Sequence, residues 1–157
     1  MTPKKPVVGV IGSAHTVEGK FTAQRVGERN LRAVAETAGA LPLMFAGTPE
    51  ITDIGALLDT VDGILLTGAR ANVHPSHFGH EENAAHEPYD RGRDAIALSV
   101  IEGVAEDGTI EAIRIADAPG FALGVQWHAE YEAKSNWINR ALFQAFGEAL
   151  AAHRKAA

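Results

Sequence analysis

Val7-Val8-Gly9-Val10-Ile11, followed at once by Gly12 and Ser13, is the stretch that decides the fold. A short, nearly continuous apolar run closed by small turn-forming residues predicts a parallel strand buried on both faces. Working outward, the segment from Thr22 to Ala38 sets Val26, Leu31, Val34, Ala35 and Ala38 at helical spacing and stops at Gly39, which can take the left-handed backbone that ends a helix. Leu41 to Phe45 predicts a second strand, completing a βαβ unit. The pattern repeats with a short helix over Thr52 to Asp59 and a third buried strand, Gly63-Ile64-Leu65-Leu66, that stops at Thr67-Gly68. In an open α/β sheet chemistry belongs in the loops beyond the carboxyl ends of such strands, so residues 67–90 form the first candidate site region.

Further along, Asp90 can cap a helix that begins near Arg91 and carries Ala95, Ile96, Leu98 and Ser99. Asp107-Gly108 predicts a tight hairpin turn, with arms at Ile101 to Glu106 and Thr109 to Ile115. Between that helix and that hairpin no Gly, Pro or polar turn cluster interrupts Leu98-Ser99-Val100-Ile101-Glu102, so the change of period is abrupt. Phe121 to Trp127 reads as a strand leading into His128. Ser135 to about His153 reads as an amphipathic helix, capped by Ser135, with Ile138, Leu142, Phe143, Phe146 and Leu150 on one stripe. The expectation is a single α/β domain over residues 1–157.

Composition narrows the function classes. The chain has 157 residues, 46% of them apolar, and its 14 basic and 20 acidic residues leave a net charge of −6. Such a chain packs a core, and its dispersed basic residues offer no field for nucleic acid or an anionic membrane. No apolar run approaches the roughly 18–20 residues that cross a bilayer, and the N-terminus has no signal-peptide pattern, so a soluble cytoplasmic protein is expected. There is no cysteine, which excludes disulfides and thiolate chemistry within these residues.

The chemistry-bearing run is Gln126-Trp127-His128-Ala129-Glu130. An imidazole exchanges protons near neutral pH, and a carboxylate on its other nitrogen fixes tautomer and orientation. His128 and Glu130 point to the same side if the chain stays extended through Ala129; the competing reading is an exposed pair at a strand-to-loop boundary. Ser13, Ser76, Ser99 and Ser135 are the available serines, and none stands in a Gly-x-Ser-x-Gly or Ser-x-x-Lys context. Gly68 can turn a backbone N–H toward a developing oxyanion, or merely give the strand a tight exit. His74, His77, His80 and His86, with Glu81, Glu82 and Glu87, suggest a metal possibility, but their spacing is not a metal signature and solvated loop histidines are expected. No phosphate loop or dinucleotide fingerprint occurs. Asp90, Arg91, Arg93 and Asp94 read as a capping and ion-pair cluster.

Taken together, Pro6-Val7-Val8-Gly9-Val10, Leu66-Thr67-Gly68-Ala69-Arg70-Ala71-Asn72-Val73-His74-Pro75 with Phe78-Gly79, Tyr89-Asp90 with Arg93-Asp94, and Phe121 through Glu130 resemble the gamma-glutamyl-gamma-aminobutyrate hydrolase branch of the class I glutamine-amidotransferase-like proteins, a C26-type cysteine peptidase family. The resemblance implies a three-layer α/β/α, flavodoxin-like fold with a mainly parallel sheet and an additional hairpin. It implies hydrolysis of a small gamma-glutamyl amide by a Cys-His-Glu mechanism, with His128 as base, Glu130 as orienter, Gly68 as oxyanion donor, and Ala69 and Asn72 bordering the substrate. Ala129 stands where the family usually has proline. No cofactor or metal is implied, and a homodimer is the expected assembly. The family also implies an elbow strand bearing the cysteine between the material like residues 90–100 and that like 101–115; here Val100 leads directly to Ile101. Either the chain is a shortened paralogue, or it joins two parts of a longer protein, and the second is expected. A non-catalytic metabolite-binding or interaction domain, or a glutaminase subunit supplying ammonia to a synthetase, remain the alternatives.

Overall fold

Strands that carry apolar side chains on both faces need a helical layer on each, and this chain supplies both. The computed structural model describes residues 4–104, 121, 123–124 and 128–156. In chain order these contain β1 (Val7–Ile11), β2 (Ser13–Val17), β3 (Phe21–Arg25), α1 (Glu28–Arg32) running into a π-helical turn (Ala33–Thr37), β4 (Leu41–Phe45), α2 (Ile54–Thr60), β5 (Gly63–Leu65), α3 (Arg91–Val104) and α4 (Trp137–Ala156). β1 is central in a parallel sheet of order β4-β1-β5, with Val8 opposite Pro42 on one side and Gly63 on the other.

The alternation of side chains along β1 sorts the layers. Val8 and Val10 pack with Val34, Ala40 and Leu150, which places the first crossover helix and α4 on one face. Ile11 packs with Ile96 and Val100, alongside Phe45, Ile54, Leu57, Ile64 and Leu66, which places α2 and α3 on the other. The result is the three-layer α/β/α arrangement with a separate antiparallel hairpin, β2-β3. Helix α4 closes the first face through a close backbone approach: a Cβ on Gly147 would lie 2.3 Å from the Ala38 carbonyl oxygen. Its far end is tied down where Arg154 bonds Asp62 and the Lys5 carbonyl, both at 2.8 Å, while Asp62 also accepts the Val7 N–H at 2.7 Å.

Several expectations change. The helix expected from Thr22 begins only at Glu28, because residues 13–25 form the hairpin. Its turn has positive φ at both Glu18 (51°) and Gly19 (66°), the primed geometry that matches the twist of paired strands. Asp53 caps α2 by accepting the Ala56 N–H at 3.0 Å, so that helix starts later than expected. The cap of α4 is Asn136, which accepts from Ile138 and Asn139, rather than Ser135. Helix α3 continues through Val100 and Ile101 to Val104, so the first arm of the expected hairpin is helical there. The rest of that hairpin and most of the strand expected over 121–127 lie outside the described residues.

Candidate active site

β4 and β5 flank β1 on opposite sides, so the sheet order reverses at β1, and the crevice beyond the carboxyl ends of β1 and β5 is the place such folds bind ligands. Close approach builds this end. The Gly12 N–H donates to the Phe45 carbonyl at 2.8 Å, and a Cβ on buried Gly47 would stand 2.6 Å from the Gly12 oxygen and 3.3 Å from the Arg93 Cα. The first turn of α3 therefore sits directly against the strand ends.

Of the capping and ion-pair cluster expected from the sequence, the cap holds that turn, while Arg91 pairs with Glu82. Asp90 accepts the Arg93 N–H with one carboxylate oxygen and the Ala14 N–H with the other, both at 3.0 Å, which caps the helix and ties it to the hairpin. Asp94 is buried and accepts the His74 N–H at 2.8 Å. Arg93, only 9% exposed, donates through Nη2 to the Thr67 carbonyl, with a longer contact of 3.5 Å to Thr67 Oγ1. Burial draws its pKa below the usual guanidinium value, opposed by the charges of Asp90 and Asp94.

The loop between β5 and α3 is irregular, as expected, with two 3-10 turns at Pro75–Phe78 and Ala84–His86. His74 corrects the expectation of solvated histidines, because it is buried. Its Nδ1 lies 2.7 Å from Ser76 Oγ, its Nε2 lies 3.0 Å from Glu82 Oε1, and its ring meets Tyr89 edge-on at 5.1 Å. A polar side chain with both ring nitrogens partnered is a stable occupant of a loop core. His77 and His80 are exposed, and among the described residues no group of three or more His, Asp or Glu side chains is disposed to hold a metal. Asn72 is exposed and forms an isolated bridge with Tyr89, its N–H donating to the Pro88 carbonyl at 3.0 Å.

The second contribution to the site comes from residues 128–134. His128 Nδ1 lies 2.9 Å from Glu130 Oε1. The chain between them is not extended: the Tyr131 N–H bonds the His128 carbonyl at 3.1 Å, and Ala129 turns inward to pack with Ala33, Ala133 and Phe143. A turn with one buried methyl thus leaves the two flanking side chains together on the outer side. Glu130 is 15% exposed at its side chain and His128 is 67% exposed, so the carboxylate is the fixed partner and the imidazole the accessible one. The ring stands beside Gly68, where a Cβ would lie 3.4 Å from His128 Cε1.

The structure therefore brings Gly68, His128 and Glu130 into one place, with Ala69 next in the chain and half-buried. It places Asn72 in the bridge with Tyr89 instead. No serine hydroxyl bonds His128 among the described residues; Ser76 bonds His74 and Ser135 bonds the Glu132 carbonyl. Two neighbours escaped the reading of the sequence. Tyr131 lies 5.3 Å from the His128 ring, and the Arg29 guanidinium sits 4.0 Å over the Tyr131 ring, a cation–π contact that closes one side of an open groove of about 590 Å³. Only a long-range contact joins Arg29 to Tyr131, so no local pattern announces it.

The profile of the family described as Peptidase C26 matches residues 6–104 and, separately, 97–130. The chain belongs to this family. Gamma-glutamyl-gamma-aminobutyrate hydrolase PuuD of Escherichia coli (strain K12) is 41% identical over 46 residues, 29% of this chain and 18% of that protein. Proteins described as gamma-glutamyl-gamma-aminobutyrate hydrolase from Shigella sonnei (strain Ss046) and Shigella flexneri match to the same extent. The matched stretch thus spans less than a fifth of the length of these curated relatives. The His and Glu typical of the C26 family are present, and the cysteine nucleophile is absent from the 157 residues. Among the described residues no helix is long and apolar enough to cross a membrane.

Proposed function

We propose that His128 and Glu130 are the base and orienter of a gamma-glutamyl amide hydrolase, and that its nucleophile resides on a cysteine-bearing segment belonging near Val100–Ile101. The observation that carries this reading is the 2.9 Å contact between His128 Nδ1 and Glu130 Oε1, with the imidazole edge against Gly68. The carboxylate holds Nδ1, which frees the other ring nitrogen for proton transfer. The family profile supports the missing segment by matching in two blocks that overlap at 97–104, around the end of α3.

In the complete protein His128 takes the cysteine's proton as the sulfur adds to the gamma-carbonyl carbon, and the resulting oxyanion accepts from the Gly68 N–H. His128 then gives its proton to the departing amine, leaving a thioester. Water, deprotonated by His128, attacks the thioester to release glutamate and restore the thiol. The substrate class is a small gamma-glutamyl amine, with gamma-glutamyl-gamma-aminobutyrate first among those to test. A cytoplasmic homodimer working without metal or cofactor belongs to the same reading.

Intact-mass measurement on the natural protein decides the segment: a mass of 16.6 kDa, that of these 157 residues, overturns it, and a larger mass with a cysteine-containing peptide between residues 97 and 104 supports it. His128→Ala then abolishes release of gamma-aminobutyrate without changing the thermal midpoint by more than a few degrees. Near-normal turnover in that variant removes His128 from the role. The lack of cysteine favours a second reading, a metabolite-binding domain without turnover. A 16.6 kDa protein that binds gamma-glutamyl-gamma-aminobutyrate calorimetrically and leaves it intact establishes that alternative.

A further inference from the structure

We infer that Arg93 is a positioning residue for the oxyanion site, acting through the Thr67–Gly68 peptide; this rests on the hydrolase reading above. Arg93 lies under the strand ends at the first turn of α3 and donates to the Thr67 carbonyl, the residue just before Gly68. The only cis peptide among the described residues is Glu87–Pro88, so the Thr67–Gly68 bond is trans. In a planar trans peptide the C=O and the following N–H point in opposite directions. A Thr67 carbonyl held inward on a buried guanidinium therefore aims the Gly68 N–H outward, to the exposed side on which His128 stands.

Glycine after a strand has little intrinsic preference between the two orientations of such a peptide. A charge-assisted bond from a buried donor selects one of them, and preorganised donors are what stabilise a developing oxyanion without reorganisation during reaction. Arg93 is itself well fixed. Its backbone N–H is held by Asp90 at 3.0 Å, and the close approach of Gly47 to its Cα leaves the main chain no room to retreat. Among the described residues the buried Arg93 Nε has no hydrogen-bond partner, so the bond to Thr67 through Nη2 is the contact that orients this guanidinium there.

Two variants and two measurements test the assignment in the natural full-length protein. Arg93→Met keeps the length of the stem and removes the donors, whereas Arg93→Lys keeps a charge and one reach to the carbonyl. Arg93→Met lowers kcat for gamma-glutamyl-gamma-aminobutyrate about 100-fold with KM within about twofold, and Arg93→Lys recovers at least about tenfold of that loss. The carbonyl ¹³C resonance of Thr67 moves upfield in Arg93→Met, reporting the lost hydrogen bond whether or not the protein turns over. An unchanged kcat per folded molecule in Arg93→Met, or a loss confined to folded yield, overturns the positioning role. An unmoved Thr67 resonance overturns the peptide lock itself. A wild type without turnover overturns the hydrolase reading and the catalytic consequence of Arg93 with it, and the Thr67 resonance alone then decides the lock.

Discussion

The loop end at residues 67–94 and the turn at residues 128–134 meet beside Gly68 but are positioned by opposite means. The first is organised by polar groups, the buried Asp94 on the His74 N–H and the buried Arg93 on Thr67, with the half-buried Asp90 bridging the hairpin and α3. The second is anchored by two small apolar residues, Ala129 and Ala133, packed on Ala33 and Phe143, with His128, Glu132 and Lys134 exposed. Buried polar networks orient a backbone and tolerate the loss of a partner poorly, whereas small apolar anchors orient side chains and tolerate added bulk poorly.

The most severe way to break the contrast is Asp94→Ala. It strands the His74 N–H in a buried loop and removes a compensating charge beside Arg93, and it lowers stability by about 3 kcal/mol, read as a shifted urea midpoint at unchanged slope. A loss below about 1 kcal/mol, the size of an ordinary neutral hydrogen bond, shows that the loop end does not depend on its buried charges. Ala129→Leu probes the other side. Overpacking the pocket formed by Ala33, Ala133 and Phe143 costs about 2 kcal/mol and displaces His128 from Gly68, visible as a loss of nuclear Overhauser contact between the His128 ring and the Gly68 methylene. Unchanged stability together with a retained contact contradicts the anchoring role.

The smallest effect concerns the exposed ion pairs behind the turn. Lys134 and Arg32 both bond Glu36, and the Lys134 hydrogen bond is the leading cause that holds the Glu36 carboxyl below its ordinary value. Because the folded-state value is depressed, the contribution is present above the unfolded value and is lost as pH falls through the lowered one. Lys134→Met raises the Glu36 titration midpoint toward an ordinary carboxyl in a ¹³C titration, with little change in global stability, since the pair lies at the surface. An unmoved midpoint shows that Arg32 alone sets it.

Much of the sheet was legible because buried parallel strands leave a local signature. Val7–Ile11, Leu41–Phe45 and Gly63–Leu65 stand where apolar runs between turn residues predict them, and the cap at Asp90 follows from its side chain alone. The hairpin was hidden because Thr22–Arg25 fits the start of a helical stripe that Val26 and Leu31 continue, and the positive φ at Glu18 carries no strong residue signal. Helix α3 overrode the hairpin expected from Ile101 because Ile96 and Val100 are buried against β1 and α2, and that packing carries the helical period onward to Val104.

His128 and Glu130 as a pair, the strand-end position of Gly68 and the lack of a cysteine are determined by the sequence alone, since each is a matter of residue type and spacing. That the pair meets across a turn, that its ring stands beside Gly68, and that Arg93 lies beneath the Thr67–Gly68 peptide were decided only in three dimensions. For the last two the physical reason is separation along the chain: local pattern records what a residue does to its neighbours in sequence, while the Arg93–Thr67 and Gly68–His128 contacts join residues 26 and 60 positions apart and exist only once the layers have packed.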